Sequence, residues 1–220
     1  MKTLTKCLFA LLLPFCMTAA ALAEDYTEGK QYVRLSNPQP TSAADKVDVV
    51  ELFWYGCPHC YYLEPFINTW LENKPEGVVF VRLPAIVGPR WEPLAKAYYT
   101  AEVLGVLDQT HEALFKAIHD KQQKFPDAAA LQDFFVTQGV SAEDFKKAYN
   151  SFAVSVKVNN AKMMTRRYAI SGVPTVIVNG KFSTSGSLAG SNEGIIKVVD
   201  YLVAQELAAD STATAATAQP

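Results

Sequence analysis

Two cysteines three positions apart, in Cys57-Pro58-His59-Cys60, constrain this chain more than any other feature. Thiols at that spacing close into a disulfide or open into a dithiol. Ahead of them runs a nearly all-apolar stretch, residues 47–53, as expected of a strand covered on both faces. Behind them residues 61–73 read as a helix. The pair therefore stands where a strand hands over to a helix N-terminus.

The remaining cysteines sharpen this reading. Cys7 and Cys16 lie in a stretch with the parts of a secretory signal peptide. Lys2 and Lys6 are its positive region, residues 8–17 its apolar region, and Ala21-Leu22-Ala23 a small-residue cleavage site. A lipoprotein reading of Cys16 is weaker, because Leu13-Pro14-Phe15 lacks the small residues that such a site needs. Cleavage of residues 1–23 would leave Cys57 and Cys60 alone in an oxidising compartment. It would also leave 18 basic against 22 acidic residues, a formal net charge of −4. No basic run suggests nucleic acid, and no second long apolar run suggests a membrane.

Further along, residues 32–35 are a short strand candidate and 78–83 a valine-rich strand, with Pro65 expected to kink the intervening helix. Residues 92–168 then carry apolar spacing of helical period almost throughout. Asp127 and Ser141 are candidate caps, Ser141 with Asp144 three residues on. Strands return at 175–178 and 181–184 around Asn179-Gly180, a strong hairpin signal. Residues 193–208 close with an amphipathic helix, and the Ala/Thr-rich 210–220 reads as a disordered tail. The expected fold class is α/β, a mixed sheet with an all-helical subdomain inserted midway. One domain would comprise 24–86 and 166–209, and the insertion 87–165.

The chemistry follows from the helix start. Unpaired N–H groups and the positive end of the helix dipole favour a thiolate at Cys57. Pro58 fits the first turn, where its missing N–H is not needed, and His59 adds a dipole or a charge. Cys60, one turn deeper, is the less exposed, resolving sulfur. Thiolate stabilisation acts only on the reduced form. A Cys57 pKa about 2 units below ambient pH would favour the dithiol by about 3 kcal/mol. That corresponds to roughly 60 mV toward oxidising power. A zinc half-site is disfavoured, since only His59, His111 and His119 join the carboxylates as further ligands. A purely structural disulfide would close too short a loop to constrain much. His111 and His119 read as solvated, and Met163-Met164 as helix packing. Val173-Pro174, just before a strand, is a second signal. Read together with the cysteines, a cis bond there is expected, presenting the Val173 backbone to an extended partner.

Strand–CxxC–helix followed by a Val-Pro before an antiparallel hairpin resembles the thioredoxin fold. Cys-Pro-His-Cys, the helical insertion and Val178-Asn179-Gly180-Lys181-Phe182 are similar to the DsbA family of periplasmic thiol:disulfide oxidants. The resemblance spans nearly the whole mature chain. It implies a thioredoxin-like sheet, a redox-active Cys57–Cys60 disulfide and no other cofactor. It also implies newly exported proteins with reduced cysteines as substrates, and a DsbB-like membrane reoxidant. The family's buried acid falls on Glu51, a candidate proton shuttle for Cys60. Its basic partner, lysine in the best-known member, falls on Arg82, which releases a proton less readily. Gly56 stands where some members carry an aromatic residue, and Trp54 and Tyr55 are candidates for a peptide surface or for the core. The short segment 24–45 leaves no room for an isomerase's dimerisation domain, so a monomer is expected. A reductase, an isomerase and a non-catalytic peptide-binding module are the rival readings.

Overall fold

The computed structural model describes residues 25–43 and 45–217. The signal-peptide reading therefore lies outside the described residues. Strand β1 is Val33–Arg34 and β2 is Val47–Phe53, followed by helix α1 (Pro58–Asn73) and β3 (Val78–Pro84). Five helices come next: α2 (Glu92–Leu104), α3 (Leu107–His119), α4 (Ala128–Thr137), α5 (Ala142–Tyr149) and α6 (Phe152–Arg167). The sheet resumes with β4 (Thr175–Val178) and β5 (Phe182–Ser185), and α7 (Gly186–Ala189) and α8 (Asn192–Thr217) follow.

The sheet order is β1-β5-β4-β2-β3, with β2 parallel to β3 and antiparallel to β4. This is the mixed sheet, interrupted by a helical block, that the sequence leads one to expect. All seven residues of β2 are buried, which explains why its run is nearly all apolar. Val47 and Val49 face a core shared with Leu63, Ile67 and Trp70 of α1 and with Ile195, Val199 and Leu202 of α8. Val50 and Leu52 face a second core, filled by Phe115, Phe135 and Phe145 of the helical block. Because side chains alternate along a strand, Glu51 shares the α1 face with Val47 and Val49.

Local signals in the helical block hold. Asp127 accepts from the Ala130 N–H. Ser141 accepts from the Asp144 N–H and donates to its carboxylate. Met164 packs on the second core, while Met163 is 40% exposed. The tail reading needs correction, since α8 continues to Thr217. Alanine, the strongest helix former, recurs through that stretch and carries the helix past the expected end.

Asn179 and Gly180 both have positive φ, 51° and 63°, the two-residue turn that Asn-Gly favours. Gly180 also accepts from the Gln39 N–H at 2.9 Å, and a Cβ on it would lie 2.1 Å from the Gln39 carbonyl oxygen. Gly180→Ala is therefore expected to destabilise the fold by about 3 kcal/mol, combining backbone strain with overpacking. Urea unfolding of the variant checks this, and an unchanged midpoint would refute it.

Candidate active site

Cys57 is the N-cap of α1, with extended backbone (φ −95°, ψ 116°), and Pro58 occupies the first turn. The Cys57 carbonyl accepts the first helical hydrogen bond, from the Tyr61 N–H. Its Sγ sits half-buried over the open N–H groups of the first turn. Cys60, one turn inside, is fully buried. Both sulfurs are free thiols.

These positions separate the two thiols chemically. The Cys60 thiol donating to Cys57, then the N–H groups of Cys60 and His59 and the electrostatic influence of His59, lower Cys57 from 9.0 to about 6 against the opposing effect of burial. Burial, the bond to Cys57 and the Cys57 charge drive Cys60 far upward. Near neutral pH the reduced pair is thus a Cys57 thiolate held by a Cys60 thiol.

The second signal lies against the first. The Val173–Pro174 bond is cis, and the Cys57 thiol donates to the Val173 carbonyl at 3.4 Å. Beside them opens a cavity of about 500 Å³ lined by His59, Val173, Pro174, Ser187 and Asn192, among others. Cys57, His59 and the Val173-Pro174 segment therefore share one surface, with Cys60 buried behind them.

Beneath α1 lies a buried polar chain. Glu51 and Arg82 are register partners on β2 and β3, and Arg82 Nε stands 3.2 Å from Glu51 Oε2. The same guanidinium donates through Nη2 to Glu64 Oε2 at 3.0 Å and to Asn68 Oδ1 at 3.1 Å. A forked cation serves two carboxylates here, a task for which lysine's point charge is poorly shaped. Glu51 is 0% exposed and neither of its oxygens has a hydrogen-bond partner among the described residues. Burial and the Glu64 charge raise it to about 8, with Arg82 pulling the other way. For Glu64, burial is outweighed by His111 and Arg82, and its pKa is lowered.

His111 corrects the solvated reading. It is 7% exposed, with Nδ1 2.7 Å from the Tyr55 hydroxyl and Nε2 3.2 Å from Glu64 Oε1. His119 is half-buried, donates Nε2–H to the Tyr55 carbonyl at 2.8 Å and stacks on Tyr61. The clue was present in the sequence, because His111 lies three and four residues before Leu114 and Phe115, on the apolar face of α3. Glu64 was overlooked for a similar reason. It stands one turn after Cys60, beside Leu63 and Ile67 on the buried face of α1.

Three neighbours of the motif are also placed. Tyr55 is core, at 2% exposure. Trp54 stacks on Trp91 with ring centroids 4.5 Å apart. Its ring covers Gly56, where a Cβ would come within 2.4 Å, so the missing side chain admits the indole.

Comparison with known proteins bears on this arrangement. The family model for the DSBA-like thioredoxin domain matches residues 74–192. The chain is 46% identical over 190 residues to the thiol:disulfide interchange protein DsbA of Pseudomonas aeruginosa, covering 86% of this chain and 90% of that protein. It is 42% identical over 185 residues to the protein of the same name from Azotobacter vinelandii, covering 84% and 86%. The crystal structure of Pseudomonas aeruginosa DsbA matches with a TM-score of 0.81 at 45% identity, over 86% of this chain and 98% of that one.

Proposed function

The chain belongs to the DsbA family of thiol:disulfide interchange proteins, and from that premise we propose that its Cys57–Cys60 pair donates a disulfide to newly exported proteins. It is a thiol:disulfide oxidoreductase with a thioredoxin-like sheet. The observation that carries the direction of transfer is Cys57 at the N-cap of α1, where the Cys60 thiol and the N–H groups of the first turn lower its pKa to about 6.

In the oxidised protein a substrate thiolate attacks Cys57 Sγ. A substrate–Cys57 disulfide forms, the Cys57–Cys60 bond breaks, and its electron pair leaves on Cys60. Cys60 takes a proton, for which Glu51 is the donor in this reading, since burial keeps that carboxyl protonated near neutral pH. A second substrate thiolate then attacks the substrate sulfur. The substrate disulfide forms and Cys57 leaves as a thiolate, the stable state of a thiol with so low a pKa. Pro58 starts the helix without an N–H to satisfy, and His59 adds to the field at Cys57. Val173 and Pro174 offer backbone to an extended substrate at the cavity beside the sulfur.

The wider reading follows. Segments 24–86 and 166–209 form the thioredoxin-like unit, and 87–165 is its helical insertion. The protein works as a monomer in the periplasm, exported by a cleaved signal peptide at 1–23. It needs no cofactor beyond its own disulfide, and a DsbB-like membrane protein reoxidises it.

The test uses the oxidised protein and a reduced dithiol peptide in equal amounts. One disulfide is expected in the peptide for each Cys57–Cys60 pair reduced. Alkylation of Cys57 in the product is expected to follow a titration near pH 6. A peptide left reduced, or a thiol titrating like free cysteine, would refute the donor reading.

A further inference from the structure

Glu51 and Glu64 share a single guanidinium, so two buried carboxylates compete for one cation. A lone proton on either would balance the cluster, and its place decides whether Cys60 has a donor. The groups around His111 bear on this choice. Glu64 faces it from α1, Arg82 acts on it from β3, Tyr55 bonds it from the β2–α1 connection, Tyr98 packs against it from α2, and Glu112 is its own neighbour on α3. Phe53 and Phe115 close its remaining sides edge-on.

The ring's orientation follows from its two partners. Nδ1 lies against a hydroxyl, which can donate, and Nε2 against a carboxyl that accepts in the ionised state favoured by Arg82. The tautomer that suits both accepts from Tyr55 at Nδ1 and carries its N–H at Nε2, which stands 3.2 Å from Glu64 Oε1. Burial lowers the His111 pKa, so this neutral form persists near neutral pH. Glu64 then has two partners, a hydrogen bond from Arg82 on Oε2 and His111 Nε2 3.2 Å from Oε1, whereas Glu51 has one, Arg82 Nε 3.2 Å from Oε2.

We propose that His111 is a positioning residue for the proton step: its Nε2–H keeps Glu64 ionised, which leaves the shared proton on Glu51. The inference rests on the reading of Glu51 as the proton donor to Cys60. Glu64 also lines a cavity of about 440 Å³ between α1 and α3, together with Asn68, Glu112, Lys116 and Asp120.

Carbon-13 NMR of the glutamate carboxyls in the oxidised full-length protein tests this across pH. A titration near 8 is expected in the wild type and is expected to vanish in Glu51→Gln. In His111→Leu, which has no donor, the high titration is expected to vanish with Glu64→Gln instead. Oxidation of the dithiol peptide at pH 7 is expected to slow about tenfold in that variant, as when a donor's pKa moves by about one unit. His111→Gln keeps an N–H for Glu64 and is expected to restore both readouts. A high titration that stays on Glu51 in His111→Leu would overturn the proposal.

Should His111→Leu not fold, Glu64→Gln alone is decisive. Removing an ionised neighbour must lower the Glu51 titration, whereas an unchanged titration shows that Glu64 was not ionised and refutes the role of His111. Wild-type oxidation by Glu51→Gln would instead refute the proton-donor reading, leaving the NMR arm to judge His111.

Discussion

Cys57→Ser is expected to end disulfide donation altogether, and Cys60→Ser to stop the reaction one step later. Serine at position 57 has no sulfur to be attacked, and the buried Cys60 alone cannot replace it, because burial keeps it protonated and out of reach of substrate. The dithiol peptide should therefore remain reduced in the presence of the first variant. Cys60→Ser retains the Cys57 thiolate and should react with glutathione disulfide. The product, a Cys57–glutathione disulfide, has no second thiol to displace glutathione and should persist in the mass spectrum. A further comparison isolates the Cys60 hydrogen bond, the largest influence lowering Cys57. Serine can still donate to the Cys57 sulfur but alanine cannot. The alkylation pKa of Cys57 is thus expected to be higher in Cys60→Ala than in Cys60→Ser. A Cys57→Ser protein that oxidised the peptide as the wild type does would contradict the whole scheme. A non-catalytic peptide-binding module is the rival that such a result would favour.

A large and pH-dependent effect on stability is expected at Arg82. Its side chain is the only cation that the described structure places on the Glu51 and Glu64 carboxylates. Arg82→Met keeps much of the apolar stem but leaves Glu64 with His111 as its sole charged or donating side-chain partner. Breaking a buried pair on one side is expected to cost about 3 kcal/mol at pH 7. The sign of the pH dependence follows from the two carboxyls. Glu64 is lowered in the folded protein, so its contribution is present above the ordinary carboxyl value of 4.5 and fades as pH falls through its folded pKa. Glu51 is raised to about 8, so the fold loses stability as pH rises from 4.5 through 8. Without Arg82 that loss deepens. The deficit of the variant should accordingly shrink as pH falls below 4.5 and be larger above pH 8 than at pH 7. Urea unfolding of the oxidised proteins, in which Cys57 does not titrate, checks the trend. A deficit independent of pH would show that only packing had been lost.

Much of the fold and part of the site were legible in the sequence, for reasons that differ by element. β2 and β4 were readable to the residue, because strands buried on both faces have no polar alternation to blur their ends. The cis Val173–Pro174 bond became readable only together with the cysteine pair, since local sequence alone favours trans. Cap residues such as Asp127 and Ser141 act within three positions, and so their signal is local. The four-residue α7 carries no periodicity and was invisible. The run of α8 past residue 208 was missed because an Ala/Thr-rich stretch is compatible with both coil and helix. The polar chain under α1 was legible in part only. Glu51 came from a family resemblance. Its basic partner Arg82 came from the same resemblance, whereas Glu64 and His111 meet only once α3 packs against α1. Long-range packing of that kind leaves a pattern of faces in the sequence but does not say which face meets which.

One measurement bears most directly on disulfide donation, namely the equilibrium of the Cys57–Cys60 pair with glutathione across pH. Below the Cys57 pKa, reduction takes up two protons, as it does for glutathione, and the equilibrium constant is level with pH. Above it the dithiol carries a thiolate and takes up one proton, while glutathione still takes up two until its own thiol titrates at about 8.5. The constant for oxidising glutathione is therefore expected to bend near pH 6 and then to rise about tenfold per pH unit, equivalent to roughly 30 mV for a two-electron couple. A constant that stays level up to about pH 8.5 would mean that Cys57 is an ordinary thiol, and it would turn the reading from donor to reductase.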